Sequence, residues 1–185
     1  MTRFHFLRHG PTHAKTMVGW SDLPADLSDH AAIARLRAHL PHAPVISSDL
    51  LRATATANAV QGTRPRLPHD PDLREIHFGA WELQRFDEVE DQPLIRRFWE
   101  EPGDIAPPGG ESWNAVAARV NNAVDRLIGP QDIIVVAHFG VILTQVQRAL
   151  GIGAYAAFSH RIDNLSVTEI TFDGGWRAGA INHIP

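Results

Sequence analysis

The sequence predicts an α/β fold: a three-layer sandwich with a mostly parallel central sheet, helices on both faces and a C-terminal β-hairpin. Three observations predict it. Short aliphatic or aromatic runs alternate along the chain with segments of helical periodicity, the order that builds parallel βαβ units. The run DIIVVA at 132–137 is aliphatic after its first residue, as in a strand covered on both faces. The tail alternates apolar and polar residues around Asp173-Gly174-Gly175, the pattern of a hairpin.

The elements follow in order. RFHFL at 3–7 reads as a buried strand ending near Arg8, with Gly10 just beyond. Residues 11–27 carry Pro11, Gly19 and Pro24 and read as a long loop. Ala32, Ile33, Leu36 and Leu40 recur at helical spacing over 28–40, with Ser28 or Asp29 as N-cap and Pro41 and Pro44 as the stop. VIS at 45–47 is a second strand, followed by an alanine-rich helix at 50–60 that Asp49 or Ser48 can cap. Residues 84–100 read as helix interrupted by Pro93, and PGDIAPPGG at 102–110 as loop. Trp113, Val116, Val120, Val124, Leu127 and Ile128 mark an amphipathic helix over 111–128, which Gly129-Pro130 stops. Helix returns at 139–150, and the hairpin strands are expected at 166–172 and 176–181.

Composition narrows the function. The 185 residues suit one domain, expected over 1–185, that can bury roughly 70% of its unfolded surface without staples. Apolar residues at 44% and charged residues at 21% exclude a disordered chain, a collagen-like repeat and a coiled coil. The net charge of −4 leaves no basic excess for a polynucleotide backbone, so no nucleic acid is expected as partner. Cysteine is absent, which excludes disulfides and thiolate chemistry and fits a reducing, cytoplasmic setting. The longest apolar run, Ala149 to Phe158 counting glycine, falls short of the roughly 20 residues that cross a bilayer, so no membrane partner is expected. The two histidines and two arginines of MTRFHFLRHG break any apolar signal core.

Chemistry gathers at the predicted strand ends. Arg8 and His9 follow the first strand, Arg52 lies in the first turn of the helix after the second, and His138 follows the aliphatic strand. Open α/β sheets bind ligands outside the carboxyl ends of their strands, so these side chains are placed to converge. Two arginines offer forked donors that match phosphate oxygens. A neutral histidine is a nucleophile toward phosphorus, and a second histidine can donate to a phosphoryl oxygen. Glu75, in a fourth segment, can protonate a leaving alkoxide if burial raises its pKa. Taken singly, each has a plain structural role: His138 as a core histidine, Arg52 as a solvated helix residue, Glu75 as a surface carboxylate.

The stretches FHFLRHGPT, SSDLLRATATA, LREIHFGAWE, PGGES and VVAHFGVI occur in the order of the histidine phosphatase superfamily, which the chain resembles from residue 3 to about 170. The resemblance implies His9 as the phosphorylated nucleophile, Arg8, Arg52 and His138 around the phosphoryl group, and Glu75 as proton donor. It implies no metal and no cofactor, and a small phosphorylated metabolite as partner. Substrate contacts are expected from Arg8, Thr12, Lys15, Arg52, His138 and Phe139.

The chain departs from the family pattern at four points. Phe139 replaces a common glycine after the late histidine, and Leu83 replaces the glycine of WEG, so the turn after Trp81 is expected to differ. Lys15 stands where asparagine is usual and either supplies charge to the phosphate or points to water. The glycine that commonly opens the first helix, near His30, is missing. His13 and His77 lie beside the motifs, and no H-E-x-x-H motif is present. Trp20, Phe78, Trp81 and Phe86 read mostly as packing residues, some of which can line a pocket.

The activity expected is metal-independent hydrolysis of a small phosphomonoester through phosphohistidine. The alternatives are a phosphoglycerate mutase, an α-ribazole phosphatase and, outside enzymes, a phospholigand-binding module. The short chain and its proline- and glycine-rich 102–112 loop favour hydrolysis over a mutase. The joint presence of His9 and Glu75 argues against a binding module.

Overall fold

The computed structural model describes residues 1–185. Five strands form one sheet: β1 (Thr2–Arg8), β2 (Val45–Ser47), β3 (Asp132–Ala137), β4 (Val167–Phe172) and β5 (Trp176–Ala178), in the order β2-β3-β1-β4-β5. β1 and β2 run parallel to β3, while β4 is antiparallel to both β1 and β5. β4 alone therefore runs against the other four. The helices are α1 (His30–His39), α2 (Leu51–Gln61), α3 (Gln92–Glu100), α4 (Trp113–Asp125), α5 (Phe139–Leu150) and the short α6 (Ala154–Ala157).

The alternation of strand side chains separates two cores. Phe4, Phe6, Ile133, Val135 and Ala137 face one layer, where they meet Trp113, Val116 and Val120 of α4 and Val141, Ile142, Leu143 and Val146 of α5. Leu7, Ile134 and Val136 face the other, against Ile33, Leu36 and Leu40 and against Ala53, Ala57 and Val60 of α2. These side chains are almost fully buried, each worth about 1.5–3 kcal/mol if large. The sandwich is thus the expected one.

Several boundaries differ from expectation, each for a local reason. Residues 84–91 are not α-helix: a single 3-10 turn, Phe86–Glu88, precedes α3. Asp91 caps α3 through Leu94 N–H (2.9 Å), and Pro93 sits in its first turn, where a missing N–H is harmless. Pro93 therefore opens the helix instead of interrupting it. α4 ends at Asp125, which leaves Ile128 39% exposed. β5 covers only Trp176–Ala178, and the chain returns to the sheet through a bridge between Val167 and His183. Asp29 caps α1, but neither Ser48 nor Asp49 caps α2, because both are used elsewhere.

Register explains why the strand ends matter. Arg8 pairs with Ala137, and Ser47 with Val136, so β1, β2 and β3 finish at nearly one level. His9 N–H then donates to Ala137 O (3.1 Å) and Ser48 N–H to Val136 O (3.3 Å). His9, Ser48 and His138 are thereby set side by side along the sheet edge.

Candidate active site

His9 is buried at the end of β1. Its Nδ1–H donates to the Gly10 carbonyl (2.7 Å), which leaves Nε2 as the lone-pair nitrogen. Arg52 Nε–H donates to that nitrogen at 3.2 Å. Burial first, then the Arg52 charge, lowers the imidazole pKa to about 3. His9 is therefore neutral near pH 7, with its free electron pair turned toward a guanidinium.

Arg52 is 1% exposed and held on three sides. Besides His9, it donates to the carbonyls of Ser21 (3.0 Å) and Gly19 (2.6 Å). The loop that supplies those carbonyls is gathered by Glu82, whose carboxylate accepts from the N–H groups of Gly19 (3.0 Å), Trp20 (2.7 Å) and Phe78 (3.1 Å) and from Ser21 Oγ (2.8 Å). Gly19 is required there, since a Cβ would strike the Ile76 carbonyl oxygen. Glu82 thus fixes Arg52 from a distance.

His138 lies beside His9, ring centroids 5.0 Å apart, and is fully buried at the N-cap of α5. Ser48 Oγ meets its Nε2 at 2.7 Å. Burial, reinforced by His9 and Arg52, holds this imidazole well below its ordinary pKa. Arg8 donates from Nη1 to the Ile162 carbonyl (2.6 Å), and its guanidinium lies 5.4 Å from the centroid of Phe139. Two buried nitrogens here, Arg8 Nε and His138 Nδ1, have no hydrogen-bond partner in the protein. Buried polar groups are nearly always paired, so unpaired nitrogens clustered at one place are functional candidates.

Glu75 completes the cluster. It is buried, and its carboxylate receives Gly140 N–H (3.1 Å to each oxygen) and Ile76 N–H (2.9 Å). Burial raises its pKa and dominates over the amides, Arg52 and Arg8, which pull it down. Gly140 must be glycine, because a Cβ would fall on Glu75 Oε1. The backbone of Glu75 is clamped as well: its carbonyl accepts from Trp20 Nε1 (2.8 Å) and from Arg119 Nη2 (3.2 Å). Arg119 also reaches the carbonyls of Asp72 (2.7 Å) and Arg74 (2.9 Å) and forks onto Glu111 (2.8 Å to each oxygen). Asp49, the missing cap of α2, pairs with Arg74, whose guanidinium stacks over Trp20 (4.7 Å).

The structure brings Arg8, His9, Arg52, Glu75 and His138 together. Phe139 is present as the ring against Arg8. Thr12 and Lys15 make no hydrogen bond to the cluster, and Thr12 Oγ1 accepts from Ala14 N–H (3.4 Å). His13 pairs with Asp26 (2.7 Å), and His77 accepts from Gly79 N–H (2.9 Å), so both serve local turns. The turn after Trp81 does not need glycine: Leu83 adopts φ +62° itself. Sequence reasoning missed Ser48, Glu82, Glu111 and Arg119, and treated Trp20 as packing. Ser48, Glu82 and Glu111 lie inside the quoted motifs, so the signal was present; Arg119, on the helix face, carried none.

The arrangement can bind an oxyanion, present an unprotonated imidazole and supply a proton from a buried carboxylic acid. Opposite surroundings of this kind separate an unprotonated group from a proton donor within one site. No cluster of three or more metal-ligating side chains is present, and no helix is long and apolar enough to cross a membrane.

A family model of the histidine phosphatase superfamily (branch 1) matches residues 4–183. The bifunctional protein Rv2228c of Mycobacterium tuberculosis is 32% identical over 98% of this chain and 54% of its own length, so the chain spans about half of that relative. The glucosyl-3-phosphoglycerate phosphatase of Mycolicibacterium vanbaalenii is 34% identical over 81% of this chain and 75% of its own. The crystal structure of the α-ribazole phosphatase of Shigella flexneri superposes with a TM-score of 0.84 at 25% identity, covering 98% of this chain and 96% of that one. With the strand-end cluster in place and the match running almost from end to end, the chain belongs to the histidine phosphatase superfamily.

Proposed function

We propose that this protein hydrolyses a small phosphomonoester, without a metal, through a phosphohistidine on His9. The observation that carries the reading is the pairing of a neutral, Nδ1-anchored His9 with a buried Glu75 inside one cationic cluster. On binding, Arg52 Nε–H turns from His9 to a phosphoryl oxygen, with Arg8 and His138 as further donors. His9 Nε2 then forms the N–P bond as the ester P–O bond breaks, and the departing alkoxide takes the Glu75 proton. In the second step water attacks phosphorus, Glu75 carboxylate accepts its proton, the N–P bond breaks and phosphate leaves. Both relatives named as phosphatases support hydrolysis over mutase activity. The net charge of −4 favours a small phosphorylated metabolite over a polyanionic polymer as substrate.

The test is release of phosphate from p-nitrophenyl phosphate in the presence of chelator, with acid-labile phosphoprotein trapped by rapid quench. Wild type should turn over and carry one phosphoryl group on His9; His9→Ala should do neither. Turnover by His9→Ala would end the proposal. Faster interconversion of 2- and 3-phosphoglycerate than phosphate release would make the protein a mutase, and binding without turnover would make it a phospholigand-binding module.

A further inference from the structure

We propose that the cavity beside the phosphoryl centre is a subsite for a ring-shaped organic group that bears a second negative charge, and that Lys15 holds that charge. The inference rests on the phosphatase reading and names the class of its substrate. The cavity, about 400 Å³, is lined by Lys15, Thr16, Met17, Arg85, Phe86 and Trp99. That volume lies within the usual range of small-molecule sites.

Two segments of the chain lead from the cavity wall to the catalytic cluster. Met17 is followed by Val18 and Gly19, whose carbonyls receive Arg52 Nη2 (3.5 and 2.6 Å). Trp99 packs on Phe158 (5.6 Å), which lies four residues before Ile162, the carbonyl that holds Arg8. Its two walls are joined by backbone bonds from Met17 N–H to Gln84 O and from Leu83 N–H to Met17 O (2.9 Å each). On this proposal an ester bound at His9 lays its organic part along this wall.

The lining sets the chemistry. Phe86 is 42% exposed, and with Trp99 and Met17 it offers apolar surface to a ring. Arg85 is already neutralised, forked onto Asp87 (3.1 and 3.2 Å) and close to Glu88 (3.6 Å). Lys15 takes part in none of the chain's ion pairs. It is also the one lysine of the chain, the other cations being arginines. A compact ammonium with three donors suits a single carboxylate or phosphate oxygen and does not need the planar fork that arginine offers.

The probes are phenyl phosphate, its 3- and 4-carboxy derivatives, and 3-phosphoglycerate, which has the second anion but no ring. Wild type should prefer a carboxyphenyl ester over phenyl phosphate by about tenfold in kcat/KM, the factor of one charge-assisted contact. Lys15→Met should bring that ratio close to one, and Lys15→Arg should retain most of it. Trp99→Leu should raise KM for the aryl esters and leave that for 3-phosphoglycerate unchanged. A wild-type ratio near one, or an unchanged ratio in Lys15→Met, overturns the subsite. If wild type hydrolyses none of the esters, the phosphatase reading fails by itself. Calorimetric binding of the carboxyphenyl esters then still reads the subsite: weaker binding to Lys15→Met supports it, and equal binding refutes it.

Discussion

Around His9 each charged side chain is held by main-chain groups, whereas three of the six side chains that line the nearby cavity, Lys15, Arg85 and Phe86, are exposed. Arg52 is fixed by the carbonyls of Gly19 and Ser21, Arg8 by Ile162, and Glu75 by the amides of Ile76 and Gly140. Lys15 and Phe86 are exposed and Arg85 answers only to its own neighbours in sequence. On the proposed phosphatase reading, the contrast follows from what each end has to do. Phosphoryl transfer gains from donors that are already in place when charge develops, and backbone anchors provide that. Recognition of the organic group needs only shape and a stray charge, so side chains there can change without disturbing the chemistry.

The largest expected effect is at the anchored end. His9→Ala should lower kcat by at least roughly 10⁴-fold on any ester, as loss of a nucleophile does. A residual activity within tenfold of wild type would remove the distinction between the two ends. Glu75→Gln comes next, at about 10²–10⁴-fold on alkyl phosphates and much less on p-nitrophenyl phosphate, whose phenolate needs no proton.

Glu75 and His9 also predict the pH response. Wild-type kcat on an alkyl ester should fall as pH rises through the elevated Glu75 pKa, and that fall should vanish in Glu75→Gln. Stability works in the opposite sense. The folded Glu75 binds its proton more tightly than the unfolded chain does, so its contribution is full below about 4.5 and is lost as pH rises through the folded value. Glu75→Gln should therefore be more stable than wild type at neutral pH, by roughly 2–4 °C in Tm for each kcal/mol, with no gain below pH 4.5. For His9, lowered to about 3, the contribution is full above 6.5 and is lost as pH falls toward 3. Equal Tm values for Glu75→Gln and wild type across this window would show that burial of the carboxylate costs nothing.

A smaller effect is expected from the clamp behind Glu75. Arg119→Gln removes the donors to three carbonyls and the fork on Glu111. If Arg119 positions Glu75, the loss should be about tenfold on alkyl phosphates and near twofold on p-nitrophenyl phosphate, with Arg119→Lys in between. An equal loss on both esters would make Arg119 a residue of general stability only.

These two levels differ in how far the sequence reveals them. VIS and DIIVVA announce themselves as strands because burial on both faces leaves them apolar but for one terminal residue each, and their ends carry Ser48 and His138 with them. The neighbourhood of Arg8, His9, Arg52 and His138 follows from strand ends alone. Glu75 needed more: its place depends on Arg119, 44 residues away, and on Trp20, 55 residues away. Such contacts leave no periodicity. The caps of α2 mislead for the same reason, since Ser48 and Asp49 look like capping residues until distant His138 and Arg74 claim them. Pro93 was misread because proline at a helix start and proline inside one differ only in where the helix begins.

Leu83 gives the finest test, at the seam between the two ends. It holds φ +62°, a conformation that costs an L-residue about 1–2 kcal/mol and glycine almost nothing. Its side chain is 49% exposed, so little packing offsets that strain, while its N–H joins the cavity wall at Met17. Leu83→Gly removes the strain but restores backbone entropy to the unfolded chain, worth about 0.5–1 kcal/mol. The balance is a gain of roughly 0.5 kcal/mol, or about 1–2 °C in Tm. Because the turn keeps its shape, kcat on phenyl phosphate should stay within twofold. A Leu83→Gly protein that is less stable than wild type would mean that the leucine packs against the cavity wall strongly enough to outweigh its strained backbone, and the open end would then be more firmly built than its exposure suggests.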